Sequence, residues 1–226
     1  HKLKSKKMIK KLLKWGIVGF FGLIGIFFLI GVFVAFTTDT QSNNDAKEEI
    51  VSAKDIKAAE EKAVEEKRIS DSIATAKRSE ALNELKNFRT EKDDFEGLVF
   101  YQDNRTPAYT NRNFVYPYIG EKQDRYFLRL KFQYTADDWL FIKQIKVKTD
   151  YNDYDLKANF ERDHNSVIWE WYDMPARESE IKMLRDIALS KNPKIRYIGT
   201  QYHKDRNLTA KEQAIIKRTL DIYESL

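Results

Sequence analysis

The chain of 226 residues contains no cysteine, only three histidines, and few residues that interrupt regular structure, namely eight glycines and four prolines. Without cysteine there are no disulfides and no thiolate-ligated metal or redox sites. His1, His164 and His203 lack the spacing of zinc ligands. Neither a glycine-rich phosphate loop nor a nucleophile elbow is present. The sequence therefore predicts no metal site and no cofactor.

Two partial matches to functional motifs have simpler explanations. Ser179 and Lys182 have a Ser-x-x-Lys spacing, but the companion Ser-Asp-Asn and Lys-Thr-Gly elements are missing. Asp150, at the start of a match to a calcium loop, is followed by Asp155 at the position that requires glycine. The sequence thus predicts neither a calcium loop nor an enzyme.

Residues 15–36 form an uninterrupted apolar run, and seven lysines with no acidic residue precede it. At about 1.5 Å per residue, a helix of this length covers roughly 33 Å, enough for the hydrocarbon core of a bilayer. Positive residues beside a span stay on the cytoplasmic side. We therefore expect residues 1–14 to be a cytoplasmic tail, residues 15–36 a single transmembrane helix, and the rest to be extracytoplasmic.

A cleaved signal peptide is the alternative interpretation of this run. The apolar core of a signal peptide is about 7 to 15 residues long and ends in small residues at the cleavage site. Here the run is longer, and cleavage after Ala35 would place the bulky Phe33 at the third position back. The length favours an uncleaved anchor in a cell membrane, and the bias towards lysine, asparagine and tyrosine indicates a bacterial source.

The net charge of +5 comes from the N-terminal tail. Seven of the 40 basic residues lie within residues 1–14, which leaves 33 basic and 35 acidic residues in the remainder. Lysines beside a span attract anionic lipid headgroups at about 1 kcal/mol each. Membrane lipid is therefore the predicted partner of the tail, and nucleic acid is not a predicted partner. The lysines expected at the headgroups are Lys7, Lys10, Lys11 and Lys14.

Residues 45–88 are rich in alanine, lysine and glutamate and contain neither glycine nor proline, which is typical of a long exposed helix. Together with the preceding linker, this pattern predicts a helical stalk over residues 37–92. Apolar residues recur along it, but no heptad register persists. A homo-oligomeric coiled coil is one interpretation, and a single helix that lies against a partner or remains partly frayed is the other.

From residue 93, aromatic and β-branched residues predict a folded extracytoplasmic domain over residues 93–226. Arg125 to Tyr134 alternates between apolar and polar residues. Trp139 to Thr149 does so after a turn, with Phe141, Ile145 and Val147 expected to face inward. We expect these two segments to pair as an antiparallel hairpin. Further short strands are predicted at residues 98–101, 114–119, 156–160, 167–171 and 194–199.

Two helices are predicted near the C-terminus. Residues 176–189 have apolar residues at helical spacing and end before Asn192-Pro193. Thr209 and Glu212 form a capping box at the start of the last helix. The predicted fold class is therefore α+β, with the two C-terminal helices packed on one face of a mostly antiparallel sheet.

The predicted hairpin would place four cations on the opposite face of the sheet. Residues two apart share a face and hairpin strands are neighbours, so Arg129, Lys131, Lys146 and Lys148 would lie together. Four like charges repel unless an anionic partner relieves them, which predicts contact with an acidic protein or envelope polymer. The alternative is a solvated face whose lysines keep the sheet soluble.

Aromatic residues offer a second candidate surface. Tyr109, Tyr116 and Tyr118 lie among prolines, asparagines and arginines, and rigid aromatic side chains are common interface anchors. Placement in or beside the core of the sheet is the alternative for them. By contrast, three tryptophans occupy alternating apolar patterns and are predicted to lie in the core. These are Trp139, Trp169 and Trp171.

The predicted architecture consists of an anchor, a stalk and a small domain. A lone span provides anchorage without a transport path, and a long spacer is useful when a distant surface must be reached. The sequence therefore predicts a binding or adaptor protein, an accessory subunit that contacts a protein partner in a cell-envelope complex. An extracytoplasmic enzyme acting on envelope substrates and an extracytoplasmic sensor are the alternatives.

Overall fold

The computed structural model describes the backbone of residues 45–226 and the side chains of residues 55–226. The predicted basic tail and transmembrane helix lie outside these residues. Within the described part, no helix is long and apolar enough to cross a membrane. The chain divides into two units between residues 63 and 64, and the described part of the first unit begins at residue 45. In the first unit the described residues are helical, and the side chains of residues 55–63 are exposed.

Helix α1 covers Asp45–Leu85, which confirms the helix predicted from the alanine, lysine and glutamate content of this segment. In the second unit, the side chains of residues 64–80 are exposed. Ala81, Leu85 and, just beyond the helix, Phe88 are buried. The last turn of α1 therefore belongs to the core of the second unit.

The described residues form two antiparallel sheets. In chain order the strands are β1 (Arg89–Asp93), β2 (Leu98–Gln102), β3 (Phe114–Lys122), β4 (Arg125–Ala136), β5 (Gln144–Lys148), β6 (Asp153–Lys157), β7 (Glu161–His164), β8 (Ile168–Pro175), β9 (Lys194–Ile198) and β10 (His203–Asn207). The larger sheet has the order β1-β2-β3-β4-β8-β7, and the smaller has the order β10-β9-β5-β6.

Two further helices complete the domain. Helix α2 covers Glu178–Leu189, close to the predicted range, and helix α3 covers Ala210–Tyr223. The predicted capping box at the start of α3 is confirmed, because Thr209 Oγ1 accepts the backbone N–H of Glu212 at 3.2 Å while the Glu212 carboxylate accepts the backbone N–H of Thr209 at 2.8 Å. The described chain therefore has an α+β fold, with a helix, then antiparallel sheets, and helices at the C-terminus.

One large apolar core joins both sheets to the helices. Leu130 and Phe132 of β4, Ile145 of β5 and Ile195 of β9 are fully buried in it, together with Leu184 of α2. Alternate residues of these strands point into the core because successive strand side chains face opposite sides. A second, small cluster lies on the other face of the larger sheet, where Ile215 of α3 packs on aromatic residues. These are Phe100, Phe114, Tyr116 and Tyr118.

The predicted hairpin between residues 125–134 and 139–149 is wrong. Strand β4 pairs with β3 and β8, whereas β5 pairs with β6 and β9 in the other sheet. The chain leaves the first sheet because the buried carboxylate of Glu170 accepts the backbone N–H groups of Leu140, Phe141 and Ile142, each at 2.9 Å. The same bonds turn Phe141, predicted to face inward, out to 48% exposure.

Three strands were absent from the sequence prediction, and one was displaced. The missed strands, β1, β7 and β10, are short and charged, and most of their side chains are exposed. Because both faces of such strands meet solvent, they lack the alternation of apolar and polar residues that identifies a half-buried strand. The strand expected at residues 156–160 begins three residues earlier, at Asp153.

Candidate functional site: the basic face of the smaller sheet

The four cations that the sequence placed on one face belong to two different sheets. Lys146 and Lys148 lie on β5 in the smaller sheet, and Arg129 and Lys131 lie on β4 in the larger one. Because the predicted hairpin does not form, the structure does not bring these two pairs together. The prediction that all four cations share one face is therefore wrong.

Strand β9 supplies two other cations to the face that carries Lys146 and Lys148. In the register of β5 with β9, Lys146 lies opposite Arg196 and Lys148 lies opposite Lys194. Directly opposite residues of antiparallel strands share one face. All four side chains are exposed. We call these four residues, Lys146, Lys148, Lys194 and Arg196, the basic face.

Acidic residues on the outer strands neutralise only one row of the basic face. Asp155 of β6 lies 3.6 Å from Lys146 Nζ, and Asp205 of β10 lies 2.6 Å from Arg196 Nη2. In the neighbouring row, Lys148 and Lys194 form no ion pair with any described residue. Asp153 of β6 lies opposite Lys148 in the register but forms no ion pair with it. Two ammonium groups therefore lie opposite each other on the central strands with no carboxylate in direct contact.

A shallow groove of about 430 Å³ lies on this face. Its lining includes the whole basic face, together with Asp153, Asp155 and Asp205. This volume falls within the range of about 300–1,000 Å³ that is usual for ligand clefts. The arrangement can bind an anionic group between Lys148 and Lys194. The carboxylates of Asp153, Asp155 and Asp205 at the sides of the groove would in addition favour a ligand that carries positive groups beside its anionic one.

Arg129 is held within the larger sheet. Its Nε donates to Tyr118 Oη at 2.7 Å, its Nη2 lies 2.8 Å from Asp173, and Tyr118 Oη donates to Asp173 at 2.7 Å. Burial, followed by the nearby charge of Asp173, raises the pKa of Tyr118 well above its usual value. Arg129 therefore neutralises a carboxylate of its own sheet, and Lys131 lies opposite that same Asp173 in the register.

Of the three tyrosines predicted as interface anchors, the structure leaves one on the surface. Tyr109 is 72% exposed, whereas Tyr116 and Tyr118 are 3% and 7% exposed in the small cluster beneath α3. The predicted headgroup lysines, Lys7, Lys10, Lys11 and Lys14, lie outside the described residues. Ser179 Oγ donates to Glu180 at 2.7 Å and makes no hydrogen bond to Lys182.

Comparison of the chain with protein families, with curated proteins and with solved structures found no match. In the part of the chain that the structure describes, no group of three or more histidine, aspartate or glutamate side chains is placed to hold a metal ion.

Sequence reasoning missed Lys194 and Arg196. A strand was predicted at residues 194–199, but no outward face was assigned to Lys194 and Arg196. The pairing of that strand with β5 joins residues far apart in the chain, and a local pattern carries no information about such a partner. Only the order of the strands in the sheet, which the sequence does not show, places these two cations beside Lys146 and Lys148.

Proposed function

We propose that the protein is a single-pass, membrane-anchored binding or adaptor protein of the cell envelope, and that its basic face binds an acidic segment of a partner protein. The observation that supports this most strongly is the unpaired Lys148 and Lys194. Like charges directly opposite each other destabilise a sheet. A carboxylate from a partner would relieve that repulsion and replace it with attraction.

The exposure of the basic face indicates what kind of binding to expect. Exposed charges affect the rate of association and the salt dependence more than the final affinity. We therefore expect a partner that associates quickly and whose binding weakens as salt increases. Such reversible contacts suit an accessory subunit that the predicted anchor already holds near its complex, because anchoring raises the effective concentration of the two partners.

The test is cross-linking of the full-length anchored protein in cells, followed by mass spectrometry of the linked peptides. We expect reproducible links from residues 93–226 to one envelope protein in the wild type. The double variant Lys148→Glu and Lys194→Glu should reduce those links by about tenfold, since two lost charge contacts of about 0.7 kcal/mol each amount to ~1.4 kcal/mol.

A matched control reverses two lysines elsewhere. Lys67 and Lys86 are exposed and form no ion pair with a described residue, so Lys67→Glu with Lys86→Glu makes the same change in net charge away from the basic face. The control should retain wild-type linking. Equal loss in both double variants would show that net charge alone matters, and unchanged linking in both would remove the basic face from the proposal.

A further inference from the structure

Trp169 and Trp171 do not lie in the core, contrary to the sequence prediction. Along β8, Ile168, Glu170 and Tyr172 face the large core, so Trp169 and Trp171 face the other side of the larger sheet. Both are partly exposed and neither packs against an apolar cluster. The third tryptophan of that prediction, Trp139, is partly buried against the large core.

Each of these two indoles lies beside a carboxylate on the edge strand β7. Glu161 is directly opposite Trp171, and Asp163 is directly opposite Trp169. Both carboxylates are exposed, and neither forms an ion pair with a described residue. We call Glu161, Asp163, Trp169 and Trp171 the edge surface. Asp173, the next acidic residue on this face of β8, differs because Arg129 already neutralises it.

The edge surface attracts a cation in two ways at each of two positions. The face of an indole ring attracts ammonium and guanidinium groups, and the neighbouring carboxylate attracts the same groups by charge. The two positions are two residues apart along the strand, or about 7 Å. Alternate side chains of an extended peptide have the same spacing.

Backbone groups at the edge favour the same kind of ligand. Strand β7 is the last strand of its sheet, with β8 on one side and no described strand on the other. An edge strand presents N–H and C=O groups to which an extended segment can add. In β7 the His164 N–H is already bound by Asp163 Oδ1, so the added segment uses the other outward groups of the strand. A buried polar side chain also lies beside the edge surface. Gln133 of β4 is directly opposite Trp171 of β8, is 1% exposed, and its Oε1 has no hydrogen-bond partner among the described residues.

We propose that the edge surface binds an extended basic segment of a partner protein. The segment adds to β7 as a further strand, and lysine or arginine residues at alternate positions lie beside the two indole and carboxylate pairs. This surface shares no residue with the basic face and has the opposite charge preference. The domain then carries two docking surfaces, one for an acidic and one for a basic segment, as an adaptor requires.

The test measures binding of two peptides to the full-length protein in detergent micelles at low salt. One has the sequence TKTKTKT and the other TTKKKTT, so composition and charge are equal and only the alternation differs. Fluorescence anisotropy of labelled peptide should show tighter binding of the alternating peptide. Hydrogen exchange should slow at those backbone N–H groups of β7 that do not already bond to β8, and only when that peptide is bound.

The decisive variant neutralises the two carboxylates without changing their size. Glu161→Gln with Asp163→Asn should weaken binding of the alternating peptide by about tenfold, because two charge contacts are lost. Asn at position 163 keeps the acceptor for the His164 N–H, which Asp163 Oδ1 now binds at 2.7 Å, so folding is preserved. Trp171→Leu should also weaken binding, since it removes a ring face.

The matched control is Glu66→Gln with Asp94→Asn, which removes two exposed carboxylates elsewhere and should bind like the wild type. Equal affinity for the two peptides, or equal loss in both neutralised variants, would overturn the proposal in favour of unspecific charge attraction. Self-association that depends on Glu161 and Asp163, without peptide binding, would assign the surface to a second copy and overturn it as well.

Discussion

The buried carboxylate of Glu170 holds Phe141 in a left-handed backbone conformation. Glu170 Oε1 accepts the Phe141 N–H at 2.9 Å, and φ of Phe141 is +54°. A bulky residue rarely adopts this conformation, which costs about 1–3 kcal/mol. The carboxylate also binds the N–H groups of Leu140 and Ile142, and Arg162 Nε lies 3.0 Å away. These contacts together offset the strain and fix the passage between the sheets.

Replacing Glu170 by glutamine should lower the free energy of unfolding by about 2–4 kcal/mol. The oxygen of the glutamine amide can still accept two backbone N–H groups, but its NH₂ group then faces the Ile142 N–H. The substitution also removes the negative charge that neutralises Arg162. Chemical denaturation followed by tryptophan fluorescence measures the loss. The control is Glu161→Gln on the neighbouring strand, which is exposed and should change stability by less than about 0.5 kcal/mol. Similar values for both variants would contradict the assigned role of Glu170.

Gly199 has no room for a side chain. A Cβ atom there would collide with the backbone carbonyl oxygen of Leu140, in the same segment that Glu170 holds. Gly199→Ala should therefore destabilise the fold by about 1–3 kcal/mol, as overpacking does. Gly120→Ala provides the comparison, because there the obstacle is the side chain of the partly exposed Phe127, which can rotate away. A thermal melt in which Gly120→Ala loses more stability than Gly199→Ala would refute this explanation.

Asp103 makes stability depend on pH in the acid range. Burial alone would raise the pKa of Asp103, but hydrogen bonds from Arg105 and the nearby charge of Arg218 hold that pKa below its usual value. A carboxylate with a lowered folded-state pKa stabilises the fold above its unfolded pKa, and this contribution disappears as pH falls through the folded pKa. We expect Asp103→Asn to be less stable than the wild type at pH 7 and to differ less from it in strong acid.

Denaturation midpoints of the two proteins, measured from neutral pH down into the acid range, check this prediction. The Asn side chain keeps one oxygen that can accept from Arg105, but its NH₂ would face the donors of Arg105 and Arg218 that now bind Oδ2, so the difference at neutral pH reports both the lost charge and the lost hydrogen bonds. A stability difference that stays constant from neutral pH to strong acid would show that titration of Asp103 is not linked to folding.

Removing one of the two opposed lysines should stabilise the unbound protein. Lys194→Gln removes the repulsion with Lys148 and should raise the free energy of unfolding by about 0.2–0.5 kcal/mol at low salt, with the gain lost at high salt. Lys146→Gln is the matched control, because it instead removes the ion pair with Asp155 and should give no gain. Stabilisation by both substitutions, or by neither, would contradict the charge arrangement described for the basic face.

Much of the local structure could be predicted from the sequence because local patterns encode it. Helix α1 follows from its composition, α3 from the capping box of Thr209 and Glu212, and the inward side of β4 from its alternation. The hairpin of β3 and β4 was missed because its two turn residues, Gln123 and Asp124, adopt positive φ without the Asn-Gly or Asp-Gly sequence that usually signals such a turn.

The candidate surfaces were predicted only in part. Lys146 and Lys148 do face outward on one strand, but their cationic neighbours are Lys194 and Arg196 rather than Arg129 and Lys131. Alternation specifies which side of a strand is buried and says nothing about which strand lies beside it. The same limit placed Trp169 and Trp171 in the core, because large apolar side chains at alternate positions give the same pattern on either face of a sheet.

The sequence by itself determined the class of the fold and its helices, since helix propensity and capping depend on residues close in the chain, as does the alternation of strands with one buried face, such as β4. Only the tertiary structure decided the strand order, the division into two sheets, and with them which charges share a face. The physical reason is that a buried carboxylate, Glu170, binds three backbone groups about 30 residues earlier in the chain, and sends β5 to partners that no local pattern could specify.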